Sequence, residues 1–278
     1  MGNGNLYTPI LRQFIQSVQK GFGLLDKTSQ AEVREFVKMQ QHKNGGFTGR
    51  GGNPDLYYSL FGVWLSVGLG LTHLLEKHKS FISRADTLQN KAVDKSALIL
   101  IQIVLSGDDY KRPSLFTVLK MFFQFGMQMN IWYRVFLFLL TFDALYGRKR
   151  ALYYFAQVWL RFYKPPHDAP CSICSALMVM KAQVGLSIEK EIKNLLSYFE
   201  EGKGFKAFQH LETGDLLSTA VALFSLRFVN ADLRVITPTC LGLIQQNYES
   251  GAFLSGDGDL SRDLEYTFYG LMALGTLS

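Results

Sequence analysis

The chain repeats one loop-and-helix pattern near its two ends. Residues 40–62 read QQHKNGGFTGRGGNPDLYYSLFG, and residues 245–270 read QQNYESGAFLSGDGDLSRDLEYTFYG. Both segments begin with a glutamine pair, pass through a glycine-rich loop that carries one phenylalanine, and enter a long apolar run after an aspartate. Such self-similarity is typical of repeat proteins, whose units bury their apolar faces by stacking on one another.

An aspartate followed four residues later by Ser or Thr marks the predicted start of an apolar helix in each unit. An aspartate at this position caps the free N–H groups of the helix, which is the simplest reason for its presence. The stretch between the copies at Asp55 and Asp168 leaves room for two degenerate units, which are predicted to begin near Asp94 and Asn130. The four clear copies are Asp55–Ser59, Asp168–Ser172, Asp215–Thr219 and Asp263–Thr267.

Apolar residues recur with helical spacing along nearly the whole chain, and no segment alternates convincingly with period two. Each unit pairs one amphipathic helix with one strongly apolar helix, which predicts an all-α fold. Helices that are apolar on all sides must be covered on both faces, which favours closure of the stack into a ring. We expect one domain over residues 1–278, with clear repeats at 30–75, 186–230 and 231–278.

The composition limits the classes of function. Hydrophobic residues make up 48% of the chain, which excludes a disordered protein. The net charge of +6 includes no basic block typical of nucleic-acid binding, so no nucleic-acid partner is predicted, but an anionic lipid surface or a phosphate-bearing ligand stays open. Three cysteines and no signal-peptide pattern predict a cytoplasmic protein, with peripheral membrane contact left open. The uncharged run Leu56–Leu75 contains three glycines, two serines and a histidine, which favours a buried helix over a membrane span.

The pattern Gln…Gly-Gly-Phe-x-Gly-Arg…Asp-x-x-Tyr-Ser resembles the repeat of the protein prenyltransferase β-subunits, and it is also similar to the repeat of the squalene and oxidosqualene cyclases. The resemblance covers residues 30–75 and 186–278 clearly, and the middle of the chain only by its helix pattern. It implies an α/α toroid, in which inner and outer rings of helices surround a hydrophobic cavity. An isoprenoid, polyene or other lipidic small molecule is the ligand that it implies.

The chain departs from the functional motifs of both groups. Tyr57 stands where the prenyltransferase pattern has a zinc-binding cysteine, and Tyr266 stands where it has a histidine. Phenols are poor replacements for these ligands, so no metal site and no cofactor are predicted. The Asp-x-Asp-Asp tetrad of the cyclases is missing as well.

Carboxylates near the helix starts are the candidate acids or bases. Several carboxylates in one loop raise the pKa of one member by repulsion and burial, although a solvated acidic turn explains the same residues. The acidic loop after Ser255 contains Asp257 and Asp259. The predicted catalytic residues are Asp55, Asp215, Asp263 and Glu265.

Aromatic and basic residues beside these acids are the candidate substrate-binding groups. If the first and last units are neighbours, their tyrosines meet the acids, where aromatic faces would stabilise a cation; tyrosines that merely fill the core are the alternative. Arginines in the loops would clamp a phosphate or pair with the aspartates, and a loop histidine would act as a base or be structural. The predicted substrate-binding residues are Arg50, Tyr57, Tyr58, His210, Arg262, Tyr266 and Tyr269.

The pair Cys171 and Cys174 forms a Cys-x-x-Cys sequence that follows His167. A four-ligand zinc site needs a second pair, which is missing, and a redox motif needs a βαβ context. Both cysteines, and Cys240, are therefore predicted to be buried structural residues.

The sequence leaves three hypotheses for the function. The first is a metal-independent enzyme related to terpenoid cyclases and prenyltransferases, which uses acid–base chemistry on a polyprenyl, polyene or lipidic substrate in a central cavity. The second is a non-catalytic toroid that binds a lipid or a protein. The third is a prenyltransferase β-like subunit that needs an α-type partner.

Overall fold

The computed structural model describes residues 9–85, 92–123, 131–147, 150–166 and 168–278. The described residues are mostly helical, which confirms the all-α class. The helices are α1 (Ile10–Leu24), α2 (Lys27–Met39), α3 (Leu56–Gly68), α4 (Thr72–Ala85), α5 (Ala92–Ser106), α6 (Leu115–Phe123), α7 (Ile131–Tyr146), α8 (Arg150–Phe162), α9 (Cys171–Gln183), α10 (Glu189–Leu196), α11 (Leu216–Phe228), α12 (Thr237–Gln246) and α13 (Leu264–Leu277).

Two small antiparallel hairpins lie in the loops that precede α11 and α13. Strands β1 (Phe199–Glu200) and β2 (Gly204–Phe205) form the first, and β3 (Tyr248–Glu249) and β4 (Ala252–Phe253) form the second. Sequence analysis missed these strands because two residues are too few to show an alternating pattern.

The helices after α1 alternate between a partner helix and an apolar helix. We name α3, α5, α7, α9, α11 and α13 the apolar helices. Along the chain each apolar helix packs on the next one, and α13 packs on α3, so the contacts form a cycle. Three of the intervening helices each contact two apolar helices: α4 contacts α3 and α5, α6 contacts α5 and α7, and α12 contacts α11 and α13.

Three boundaries differ from the predictions. The run from Leu56 to Leu75 is two helices, because α3 ends at Gly68 and α4 begins at Thr72. The α9 helix begins at Cys171 with Pro170 as its N-cap, so the exposed Asp168 does not cap it as its spacing suggested. The predicted unit start at Asp94 lies inside α5, which already begins at Ala92. The other predicted unit start, Asn130, lies outside the described residues. No helix within the described ranges is long and apolar enough to cross a membrane.

Helix α1 is additional to the six helix pairs and contacts α3, α7 and α13. Its contact with α13 is backbone to backbone: a Cβ atom added to Gly275 would lie 1.9 Å from the carbonyl oxygen of Ser17, and one added to Gly21 would lie 1.9 Å from that of Leu271. At its other end, the Ile10 N–H donates a 2.7 Å hydrogen bond to a carboxylate oxygen of Asp143 in α7. Gly275 and Asp143 lie in the C-terminal halves of α13 and α7, whereas the Phe14 ring also contacts Phe268 in the N-terminal half of α13.

Candidate functional site

Three loops are built in the same way and fix the N-termini of α3, α11 and α13. In each, a phenylalanine N–H donates to a Ser or Thr hydroxyl one turn into the following helix, at 3.0 to 3.3 Å. In each, an aspartate N-cap accepts a hydrogen bond of 2.7 to 2.8 Å from a first-turn N–H. The phenylalanines are Phe47, Phe205 and Phe253, and the aspartates are Asp55, Asp215 and Asp263. The capping role predicted for these three aspartates is confirmed.

Arg50 joins the first of these loops to the last. Its Nε donates a 2.8 Å hydrogen bond to Asp263, its Nη1 pairs with Asp259, and its guanidinium lies 5.7 Å from the ring centroid of Tyr266. Asp263 is only 1% exposed, and Arg50 supplies an ion-pair partner for its buried carboxylate. Arg50 therefore links the first and last units through ion pairs. Pairing with an aspartate is the alternative to phosphate binding that the sequence left open.

Glu265 and Tyr57 also meet where the first and last units adjoin, which we name the junction. The Tyr57 hydroxyl donates a 2.5 Å hydrogen bond to Glu265, which lies in the first turn of α13. Burial, together with the charge of Asp263, raises the pKa of Glu265 to about 7, although the bond from Tyr57 and the charge of Arg50 oppose the shift. Near neutral pH this carboxyl exists in both protonation states, which is what a general acid or base requires.

Tyrosines surround this carboxyl. Tyr58 contacts Tyr57 edge to face, and burial with the charges of Asp263 and Glu265 raises the pKa of Tyr58 to about 12. The pKa of Tyr266 is also raised, chiefly by burial and then by Glu265. The prediction that the first and last units bring these side chains together is supported by these contacts.

Aromatic rings continue from the junction into the interior. Centroid separations of 4.6 to 6.2 Å connect each ring to the next. Tyr269 belongs to this series and is buried against Phe61 and Phe268, so it contributes to the packed interior. The series runs through Tyr57, Phe61, Phe268, Phe14 and Phe224.

Asp215 has one carboxylate oxygen that the cap does not use. Its Oδ1 accepts from the Ser218 N–H, whereas its Oδ2 is buried without a hydrogen-bond partner in the described part of the chain. Burial raises the pKa of this carboxyl, the hydrogen bonds from Ser218 oppose the shift, and the charge of Asp257 adds to it. Asp215 thus remains a candidate acid as well as a cap.

Two predicted residues lie apart from the junction. His210 is exposed, with its ring 5.6 Å from that of Phe208. Arg262 lies 6.0 Å from the ring centroid of Phe36 and contacts the carbonyl of Ser250. Neither residue shares a contact with Glu265 in the hydrogen bonds and ring contacts of the described residues, so the structure does not join them into the predicted substrate site.

The cysteines are buried, free thiols, as predicted. Burial raises the pKa of all three thiols, and Cys174 lies 3.5 Å from the Tyr198 hydroxyl. Among the described residues, no group of three or more His, Cys, Asp or Glu side chains is arranged to hold a metal ion. His167 lies outside the described residues.

A cavity of about 140 Å³ lies beside the start of α1, between α7, α8, α9 and α11. Its walls are mostly apolar, and Phe14 and Phe224 link it to the aromatic series. None of the predicted catalytic or substrate-binding residues lines it. Aspartates that cap helices are held at the helix ends, whereas this cavity lies alongside the helices.

The polar groups of the cavity are residues that sequence analysis did not select. Asp143 accepts hydrogen bonds from Ile10 N–H at 2.7 Å and from Gln183 at 3.3 Å, and burial raises the pKa of its carboxyl in spite of them. The Ser175 hydroxyl is buried and, within the described residues, has no hydrogen-bond partner; its polar neighbour is the Cys171 thiol. The sequence could have indicated Asp143, because it is the one acidic residue in the apolar run from Ile131 to Tyr146.

The sequence of the chain matches no protein-family model and no curated protein, so its function is inferred from the geometry described above.

Proposed function

We propose that the protein is an α/α toroid that binds a hydrophobic small molecule in its interior. Support for the toroid comes from the six successive helix pairs and from the cycle of contacts among the apolar helices. The Arg50–Asp263 ion pair joins the two ends of that cycle. In this arrangement the apolar helices form the inner ring, and α1 covers one end of it.

The cavity beside α1 carries the proposal. Small-molecule sites are typically apolar with a few polar groups that orient the ligand, as Asp143 and Ser175 would here. At about 140 Å³ it is smaller than the usual range for drug-sized ligands, and close to an engineered cavity of about 150 Å³ that binds benzene. It suits a compact ring compound, or one end of an isoprenoid or polyene whose hydroxyl or amine donates to Asp143.

Mass spectrometry of an organic extract from gently purified protein tests this function. We expect a stoichiometric hydrophobic molecule from the wild-type protein and none from Ala176→Leu, which fills the cavity. Ala31→Leu adds the same atoms to an exposed position of α2 and should leave the molecule bound. Folded wild-type protein that yields an empty extract and takes up no added farnesol would contradict the proposal.

A metal-independent acid–base enzyme is the second candidate function. The Glu265–Tyr57 pair favours it, because a half-buried carboxyl with a pKa of about 7 beside aromatic rings suits proton transfer to or from an alkene or an alcohol. A chain-like substrate would have to place its reacting end beside Tyr57 and the rest along the aromatic series.

The molecule identified in the extract supplies the assay for this second candidate. Glu265→Gln should still bind that molecule but convert it at least about a hundredfold more slowly, the usual contribution of a general acid or base. Glu249→Gln, at an exposed position of β3, is the matched control. Equal conversion by wild type and Glu265→Gln would leave the binding function standing and remove the catalytic one.

A further inference from the structure

Charge is distributed very unevenly along this chain. Residues 110–167 contain nine Lys and Arg and one acidic residue, Asp143, giving a net charge of +8. The remaining residues have a net charge of −2, since the whole chain carries 29 basic and 23 acidic residues. The one acid of this segment lines the cavity, whereas its described basic residues Lys111, Arg112, Lys120, Arg161 and Lys164 are exposed.

Helix α8 lies in this segment and carries apolar side chains both towards α9 and on its outer side. Its inner side packs on α9: Leu160 is fully buried, and Gln157 donates a 2.9 Å hydrogen bond to the Val184 carbonyl. Its outer side carries Tyr154, Val158, Trp159 and Phe162, which are 70%, 46%, 52% and 77% exposed. An isolated exposed apolar side chain needs no explanation, but four on one side of one helix form a patch of the kind that marks an interaction site.

Basic side chains flank this patch. Arg161 follows Tyr154 and Val158 by seven and three residues and so lies on the same side of α8; it is exposed, as is Lys164 just after the helix. We name the set Tyr154, Val158, Trp159, Arg161, Phe162 and Lys164 the α8 surface. Helix α6 presents a similar mixture, with Phe116 77% exposed and Lys120 exposed.

We propose that the α8 surface docks on an anionic lipid bilayer. A helix lying in the membrane interface buries Trp, Tyr and Phe side chains at the level of the headgroups, while Lys and Arg beside them contact lipid phosphates. The charge of the segment complements such a surface, and the mixture of exposed tryptophan, tyrosine and phenylalanine is the composition found at membrane interfaces.

The position of α8 relative to the cavity fits this docking mode. Ala156 and Leu160 of α8 line the cavity, while Tyr154 and Phe162 on the same helix face outward. A bilayer on the outer side would therefore be one helix away from the cavity. The docking surface does not depend on the cavity being occupied, so it stands or falls separately from the proposed function.

Sedimentation with lipid vesicles tests the charge component. We expect the full chain to bind vesicles of phosphatidylcholine mixed with phosphatidylglycerol and to bind pure phosphatidylcholine much more weakly. Arg161→Gln with Lys164→Gln should lower the partition coefficient by about 30-fold, since each basic residue near the surface contributes about a factor of five. Lys27→Gln with Lys43→Gln removes the same charge from exposed positions elsewhere and should change binding by less than about twofold.

A second pair of variants tests the apolar component. Tyr154→Ser with Phe162→Ser should lower binding to the mixed vesicles by at least about tenfold. Val235→Ser with Leu260→Ser removes two side chains that are 85% and 78% exposed elsewhere, and should leave binding intact. Because all of these positions are exposed, circular dichroism should show the same melting temperature for each variant.

Three outcomes would overturn the proposal. The first is equal binding to neutral and anionic vesicles, or none to either. The second is a loss of binding in the control pairs as large as in the α8 pairs. The third is a dimer that Phe162→Ser dissociates without any change in vesicle binding, which would assign the α8 surface to a second copy of the chain.

Discussion

Helix α1 meets the two sides of the helix cycle in opposite ways. Towards α13 the contact is so close that glycine is required on both helices, at Gly21 and Gly275. Towards α7 and α9 the helices leave a cavity, and the contact is a hydrogen bond between Ile10 and Asp143. The close side leaves no room for a side chain at either glycine. The side with the cavity has an apolar space and the Ser175 hydroxyl, which has no hydrogen-bond partner within the described residues, and this is why we place the ligand there.

The largest expected effect is on the close side. Gly275→Ala places a methyl group 1.9 Å from the Ser17 carbonyl oxygen, so the two helices must move apart. We expect the free energy of unfolding to fall by about 3 kcal/mol, as for severe overpacking of a core. Urea denaturation followed by circular dichroism measures this change.

Gly23→Ala is the matched control in the same pair of helices. A Cβ at Gly23 meets nothing within 4 Å, and alanine has the higher helix propensity. This variant should be neutral or more stable by up to about 1 kcal/mol. A similar loss of stability in both variants would show that the close approach of α1 and α13 is not what makes Gly275 necessary.

The pH dependence of stability compares the carboxyl where the first and last units meet with the carboxyl beside the cavity. The pKa of Glu265, where the two units meet, is raised by burial from 4.5 to about 7. The folded state therefore holds this proton more tightly than the unfolded state. The stability contributed by the bound proton of Glu265 is fully present below about pH 4.5 and is lost as the pH rises towards 7. Above about pH 7 this contribution no longer changes.

Between about pH 5 and about pH 8 we expect Glu265 to lower the free energy of unfolding by roughly 2 kcal/mol. Glu265→Gln should flatten this slope, whereas Glu249→Gln at an exposed position should not. Asp143→Asn should flatten a separate part of the slope, because burial raises the pKa of Asp143 too. Urea denaturation at several pH values gives the slope, and an unchanged slope in Glu265→Gln would assign the dependence to other groups.

The smallest effect on stability is expected on the side with the cavity. Ala176→Leu adds three carbons that the cavity accommodates, so the free energy of unfolding should change by less than about 1 kcal/mol. Ala273→Leu adds the same atoms to a fully buried position in α13 and should cost about 2 kcal/mol. Thermal melts of the two variants measure the difference, and equal losses would mean that the two sides are packed equally closely.

The sequence predicted those parts of the structure that depend on local periodicity. Helical spacing indicated the helices, and the repeated aspartates indicated the caps at Asp55, Asp215 and Asp263, because capping is a contact between near neighbours. The same rule failed at Asp168, where Pro170 precedes the helix instead. Proline is compatible with the start of a helix, so the aspartate two residues earlier was not needed there.

The site was predictable only in part. The Glu265–Tyr57 contact follows from joining the first and last units, which the repeat itself suggested. The cavity does not follow from the repeat. It depends on how closely α1 packs on each side, and the sizes of a few side chains decide this. Asp143 is the exception, since one acidic residue in a long apolar helix needs a partner, and here the partner is the backbone of Ile10.

The close packing of α1 on α13 also governs how the chain can reach its folded state. Gly21 and Gly275 are 254 residues apart in the sequence. At a synthesis rate of about 5–20 residues per second, α1 leaves the ribosome roughly 12–50 s before its partner does. During that time the apolar side of α1, with Leu11, Phe14, Val18 and Phe22, has no α13 to cover it. Contacts between such distant residues slow folding, and the packing of α1 on its partner must await the emergence of α13.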